Sequence, residues 1–200
     1  PDWNQSQKLA QASTISSQAP ALRVSELDVT YAGCNQPALR SVSLTANKGE
    51  VVSLLGPNGS GKTTLLMAIA GALKKTRGSI TFNEREISDL PKKDLPSVLA
   101  VIPQRASDLL FLGTVSKELS EADSYSSVAP NTTSSIFENL IGRIDTCIHP
   151  RDLSTGQQLA LVISLQLSVG AKLILLDEPT RGLDYEAKAA LAEQLRMLAS

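Results

Sequence analysis

Eight consecutive residues, Gly56-Pro57-Asn58-Gly59-Ser60-Gly61-Lys62-Thr63, fit the pattern G-x4-G-K-[ST]. The chemistry this spacing serves is the holding of a polyphosphate. Glycines let the backbone curl so that successive N–H groups point inward at phosphate oxygens, and the helix that follows adds positive potential at its N-terminus. Lys62 would bring a point charge to the β- and γ-phosphates, and the Thr63 hydroxyl a ligand for Mg²⁺. Thr64 continues the same turn. A second group lies far downstream, at Leu173-Ile174-Leu175-Leu176-Asp177-Glu178. At the end of a buried strand, Asp177 can hold Mg²⁺ through water, and Glu178 can accept a proton from an attacking water. Alone, four aliphatics and two acids equally suit a strand running into a solvated turn. Beside a phosphate loop they read as the other half of one phosphate-binding site.

The elements that must position these groups follow from hydrophobic spacing. Leu22, Val24, Leu27 and Val29 predict a strand running to Tyr31, and Val42 and Leu44 another. Residues 51–55 form a short apolar run headed by Val51-Val52, which predicts a strand buried on both faces leading into the phosphate loop. Leu65, Leu66, Ile69 and Leu73 share one face of a helix from 62 to 73. Residues 79–82 and Ile87 flank Asn83-Glu84-Arg85-Glu86, the pattern of a hairpin, and residues 98–102 make a further strand stopped by Pro103. Residues 107–150 mix Ser, Thr, Asn and short apolar groups and predict a mainly helical insert. A buried helix from 154 to about 168 extends that insert to about 107–168. Residues 172–176 predict a second fully buried strand. Ala187, Leu191, Leu195 and Leu198 line the final helix, with Asp184 at its N-cap. Strands alternating with helices imply a largely parallel α/β sheet.

Bulk properties narrow the classes. Lys plus Arg (19) nearly balances Asp plus Glu (20), which argues against a general nucleic-acid binder. Cys34 and Cys147 have no ligand spacing and read as small apolar fillers in a reducing compartment. No apolar run reaches the ~20 residues of a membrane span; the best, over residues 159–170, is broken by Ser164, Gln166 and Ser168. Residues 1–20, rich in Gln, Ser and Ala, predict a disordered lead-in or linker rather than a signal peptide, with the ordered domain over 21–200.

The family becomes identifiable at Leu153-Ser154-Thr155-Gly156-Gln157-Gln158, which resembles the LSGGQ signature of ABC ATPases. It opens a helix shortly before the Asp177-Glu178 strand, the order that family uses. Gln104 resembles the family's Q-loop glutamine, a ligand of Mg²⁺ and of the reaction centre. Tyr31 resembles the aromatic that stacks on adenine, and Asp184 in Arg181-Gly182-Leu183-Asp184 the D-loop aspartate. The resemblance implies a RecA-like P-loop fold with N-terminal antiparallel strands and an inserted helical subdomain. It implies that ATP and Mg²⁺ are bound, with Lys62, Gln104 and Glu178 in catalysis. It also implies a composite site, in which Ser154, Gly156 and Gln157 of one ATPase domain face the γ-phosphate held by another.

Two departures bear on activity. Thr155 replaces the first glycine of the signature, and a β-branched side chain there predicts reduced but not absent activity at the composite site it completes. The family's switch histidine is missing: the one histidine, His149, precedes the signature and reads as an ordinary side chain. The domain is therefore expected to be incomplete at its C-terminal end.

Pro179-Thr180-Arg181-Gly182-Leu183-Asp184 is similar to the ATPases of energy-coupling factor importers, which take up vitamins and transition-metal ions. That likeness implies a second ATPase domain and integral membrane subunits as partners, no nucleic acid, and a place on the cytoplasmic face of the membrane. The competing reading is a soluble ABC ATPase acting mechanically in translation or DNA repair. Against it, no heptad run appears and the charge is near neutral. A non-hydrolysing switch would be expected to lack Glu178.

Overall fold

The computed structural model describes residues 20–181, 183 and 185–199. An antiparallel sheet forms the N-terminal part, with strand order β2-β1-β3-β4. Its strands are β1 (Leu22–Val29), β2 (Leu39–Ala46), β3 (Arg77–Phe82) and β4 (Arg85–Glu86). Alternation explains β1: Leu22, Val24, Leu27 and Val29 are buried, and the shift from even to odd spacing is taken up by a bulge. Glu26 sits there at φ 45. Gly78 faces the bulge at φ +92, and a Cβ on it would lie 2.5 Å from the carbonyl oxygens of Ser25 and Glu26. Only glycine fits that approach.

The hairpin is tighter than its sequence suggested. Asn83 and Glu84 alone make the turn, both at positive φ, and Arg85–Glu86 pairs with Phe82 and Thr81. Asn suits a left-handed position, which explains where the chain reverses.

A two-stranded parallel ladder, β5 (Leu99–Ile102) with β6 (Leu173–Leu176), runs in register from Leu99↔Leu173 to Ile102↔Leu176. It divides two hydrophobic cores. Leu99 and Leu175 join the core under the antiparallel sheet and helix α1 (Lys62–Ile69). Ile102, Ile174 and Leu176 join the core of the helical lobe. Alternate residues of a strand point to opposite faces, so four-residue strands serve both layers. β6 is nevertheless mostly half-buried, with only Leu175 fully inside, which corrects the expectation of a fully buried strand.

Residues 51–55 differ more. They form no strand, and Val51, Val52 and Leu55 are 50%, 42% and 93% exposed; only Leu54 packs on the core. A parallel strand is buried when it has ladder neighbours and helices over both faces. Among the described residues none pairs with this run. Apolar composition supplied the propensity, and tertiary pairing withheld the burial.

The helical lobe comprises α2 (Val115–Ser126), α3 (Thr132–Ile141), α4 (Thr155–Ser168) and α5 (Tyr185–Ala199). α4 is its centre: Leu161, Val162 and Ile163 are fully buried, and Ser164, equally buried, donates its hydroxyl to the carbonyl of Ala160. α5 packs Leu191 inward, and the Gln194 side chain donates to the Leu140 carbonyl at the end of α3, 3.1 Å away. α1 is shorter than expected, ending at Ile69 rather than 73. Both cysteines are exposed, so neither is the core filler their composition suggested. No helix among the described residues is long and apolar enough to cross a membrane.

Candidate functional site

The phosphate loop is shaped by its glycines and anchored from two sides. Gly61 forms the N-cap of α1 in the left-handed conformation, φ 92. A Cβ there would meet Leu39 Cδ2 at 2.7 Å and the Ala38 carbonyl at 3.1 Å, so the loop presses against the start of β2. Ser60 N–H donates to the Pro57 carbonyl at 3.2 Å, closing the turn. Lys62 Nζ donates to the carbonyls of Gly56 and Pro57 at 2.9 and 3.0 Å, which places its charge over the loop. With the first-turn N–H groups of α1 behind it, this is a concentration of positive potential suited to phosphate.

Tyr31, two residues beyond β1, comes beside the same helix: its hydroxyl lies 3.0 Å from Thr64 Oγ1. The residue is 44% exposed, which suits a ring that stacks on a base. Thr64 is buried and serves that contact. Asn58 and Gly59 shape the tip of the loop, with Gly59 at φ +81.

The second half of the site reaches the first across 114 positions of sequence. Thr63 Oγ1 donates to Asp177 Oδ2 and Oδ1 at 2.9 and 3.1 Å. Asp177 is 9% exposed and its N–H continues the β5–β6 ladder to the Ile102 carbonyl at 3.1 Å. A hydroxyl on the first turn of α1 and a carboxylate at the end of β6 are thus already converged. Gln104, two residues beyond β5, donates Nε2 to Glu178 Oε2 at 2.9 Å. Arg181 Nη1 in turn donates to Gln104 Oε1 at 2.8 Å and lies 3.6 Å from Glu178 Oε2. Glu178 holds φ 48, a strained conformation for a residue with a Cβ. Sequence reasoning singled out Gln104 and Glu178 for the site, and Arg181 only as part of a family motif and not as the residue that joins them. Its only signal was a glutamate and an arginine three residues apart across Pro179.

Thr63 hydroxyl, Asp177 carboxylate and Gln104 carbonyl are hard oxygen donors, the kind Mg²⁺ prefers. Among the described residues no three His, Cys, Asp or Glu side chains form a cation cage. That donor set fits a cation taking most of its ligands from water and from substrate phosphates.

Ser154 caps α4. Its hydroxyl accepts from Gln157 N–H at 3.3 Å while Gln157 Oε1 accepts from Ser154 N–H at 2.9 Å, a complete capping box. The Ser154 hydroxyl hydrogen stays available to an anion. Gly156 has no heavy atom within 4 Å of where a Cβ would stand. Thr155 is exposed and borders a shallow crevice shared with Gln104 and Pro179. His149 is an exposed surface residue whose Nδ1 accepts from Arg151 N–H. The expected D-loop residue Asp184, and Gly182, lie outside the described residues, as does the lead-in up to residue 19.

Comparison with known proteins agrees with this arrangement in family and in fold. The family model described as ABC transporter matches residues 39–181. A putative ABC transporter ATP-binding protein of Streptomyces coelicolor is 45% identical over 163 residues, covering 82% of this chain and 29% of its own length. A second, from Streptomyces avermitilis, is 42% identical with the same coverage. The chain therefore spans less than a third of these curated relatives. Among solved structures, cbiO1 of Clostridium perfringens, part of the ABC transporter complex cbiONQ, superposes with TM-score 0.80 at 27% identity, covering 91% of this chain and 74% of that one.

Proposed function

This chain belongs to the ABC transporter family, and from that premise we propose that it binds Mg²⁺-ATP and hydrolyses it to drive transport across a membrane. The observation that carries the reading is the pairing of Thr63 with Asp177, which joins the phosphate loop to the acidic end of β6. Lys62 and the N-terminus of α1 hold the phosphates; Tyr31 offers a ring face to the adenine. Mg²⁺, held by Thr63, by Asp177 through water and by Gln104, would neutralise phosphate charge. Glu178 takes a proton from the attacking water, and Gln104 orients that carboxylate.

The exposed N-terminus of α4, with Ser154, Gly156 and Gln157, completes the site of a second ATPase domain rather than this chain's own. Further partners are integral membrane subunits, and the work is done at the cytoplasmic face of the membrane. Arg181-Gly182 favours an importer of the energy-coupling factor kind, taking up a vitamin or a metal ion. The likeness to a component of the cbiONQ transporter complex supports that direction.

Two measurements test this. Glu178→Gln in the intact protein should abolish ATP turnover while leaving ATP binding in place; unchanged turnover would remove Glu178 from its role. Tagged intact protein, extracted from membranes in mild detergent, should bring down small, very hydrophobic membrane proteins. Recovery of ribosomes or DNA-repair factors instead would refute transport.

A further inference from the structure

We propose that Arg181 is a positioning residue that sets how readily the site takes a divalent cation, by competing for the carbonyl oxygen of Gln104. The inference rests on the reading of Thr63, Gln104 and Asp177 as the cation-binding groups.

The geometry begins with a tight turn. Arg181 N–H donates to the Glu178 carbonyl at 3.0 Å across Pro179, which folds the arginine back towards the strand end it has just left. Pro179 removes a donor and fixes φ, and Glu178 at φ 48 completes the reversal. The guanidinium then closes a ring of three side chains: Arg181 to Gln104 Oε1 at 2.8 Å, Gln104 Nε2 to Glu178 Oε2 at 2.9 Å, and Arg181 to the same Glu178 oxygen at 3.6 Å.

The chemistry of an amide makes this ring a competitor. The side chain of Gln104 has two donors on nitrogen and one acceptor atom, Oε1. A hard cation can use only the oxygen, and in this structure that oxygen receives the guanidinium. A cation at a ligand distance of about 2.1 Å from the same oxygen would stand within a few ångströms of the arginine charge, and the two repel. The oxygen has two lone pairs, so the competition is electrostatic, and Gln104 serves the cation better as Arg181 withdraws. Arg181 can do so, being 67% exposed along its side chain and, among the described residues, anchored at this rim.

The test is metal-dependent nucleotide binding in the intact protein, followed with a fluorescent ATP analogue while Mg²⁺ is titrated. Arg181→Ala should lower the half-saturating Mg²⁺ concentration about three- to ten-fold, the net weight of one ordinary hydrogen bond at a side chain screened by solvent. Binding of the analogue in EDTA should stay within about two-fold, because Arg181 makes no contact with the phosphate loop; a merely structural defect would weaken both. Arg181→Lys keeps the charge without the planar fork and should fall between the parent and the alanine variant. An unchanged or raised Mg²⁺ requirement in Arg181→Ala overturns the proposal. If the parent shows no Mg²⁺ dependence, or Lys62→Ala binds as well as the parent, the site reading itself fails and this inference with it. If both controls behave and Arg181→Ala alone is silent, only the role of Arg181 is lost.

Discussion

Gly61 and Gly156 stand at the mouths of two helices, in the phosphate loop and in the run that resembles the signature, and alanine should act on them in opposite directions. At Gly61 the backbone is left-handed, φ +92, and a Cβ would sit 2.7 Å from Leu39 Cδ2 and 3.1 Å from the Ala38 carbonyl. The left-handed conformation costs a residue with a Cβ about 1–2 kcal/mol, and overpacking against backbone about 1–3 kcal/mol more. Gly61→Ala should therefore lose about 2–5 kcal/mol, or about 2–4 °C of Tm per kcal/mol in a domain this size. At Gly156 the backbone is helical and the space open. Alanine there should be neutral or stabilise by about 0.5–1 kcal/mol through loss of unfolded-state freedom. Yet if the N-terminus of α4 meets a phosphate from another domain, the added methyl stands where that anion approaches, and turnover should fall at least ten-fold. Urea unfolding and steady-state ATP hydrolysis, on the same variants of the intact protein, read the two effects separately. The reasoning is refuted if Gly156→Ala destabilises by more than about 1 kcal/mol, because the glycine would then be serving its own fold. It is equally refuted if turnover is unaffected, because nothing would then approach α4.

Other expectations follow from buried carboxylates and from the loop they hold. Asp123 is buried and accepts from the Thr133 hydroxyl and N–H. Burial alone would raise its pKa, but those bonds, with the backbone N–H groups of Asn131 and Thr132, outweigh it and hold the carboxyl below its ordinary value. A depressed folded-state pKa gives stability that is full above the unfolded value, near 3.9, and lost as pH falls through the folded one. Acid unfolding midpoints below pH 4 should thus shift upward in Asp123→Asn, and the variant should lose about 1–3 kcal/mol at neutral pH by urea titration. Glu118, also buried, accepts from the N–H groups of Phe111 and Leu112 at 2.6 and 2.7 Å. Glu118→Ala should speed amide exchange at those two positions at least ten-fold while exchange in α4 is unchanged. Tyr31→Ala should weaken ATP binding about five-fold and that of inorganic triphosphate not at all, the difference being read by competition against a fluorescent nucleotide.

By itself the sequence determined the family, the fold class and much of the local conformation. A phosphate loop is a local device: Gly59, Gly61, Lys62 and Thr63 are adjacent, and their conformations follow from residue types. The capping box of Ser154 and Gln157 was legible for the same reason, and so was the bulged alternation of β1. The order of the motifs along the chain placed Asp177 with Thr63 before any coordinates did. What depended on distant neighbours was not legible. Residues 51–55 have the composition of a buried strand, but burial needs a paired neighbour, and none is among the described residues. Cys34 and Cys147 carry no pattern that says which side of a surface they take, and both are exposed. The ring of Gln104, Glu178 and Arg181 joins a loop after β5 to a turn after β6, 77 positions apart at its widest. Such a contact has no periodicity to announce it; the parallel register of β5 and β6 brings the two strand ends level, and only then can the side chains meet.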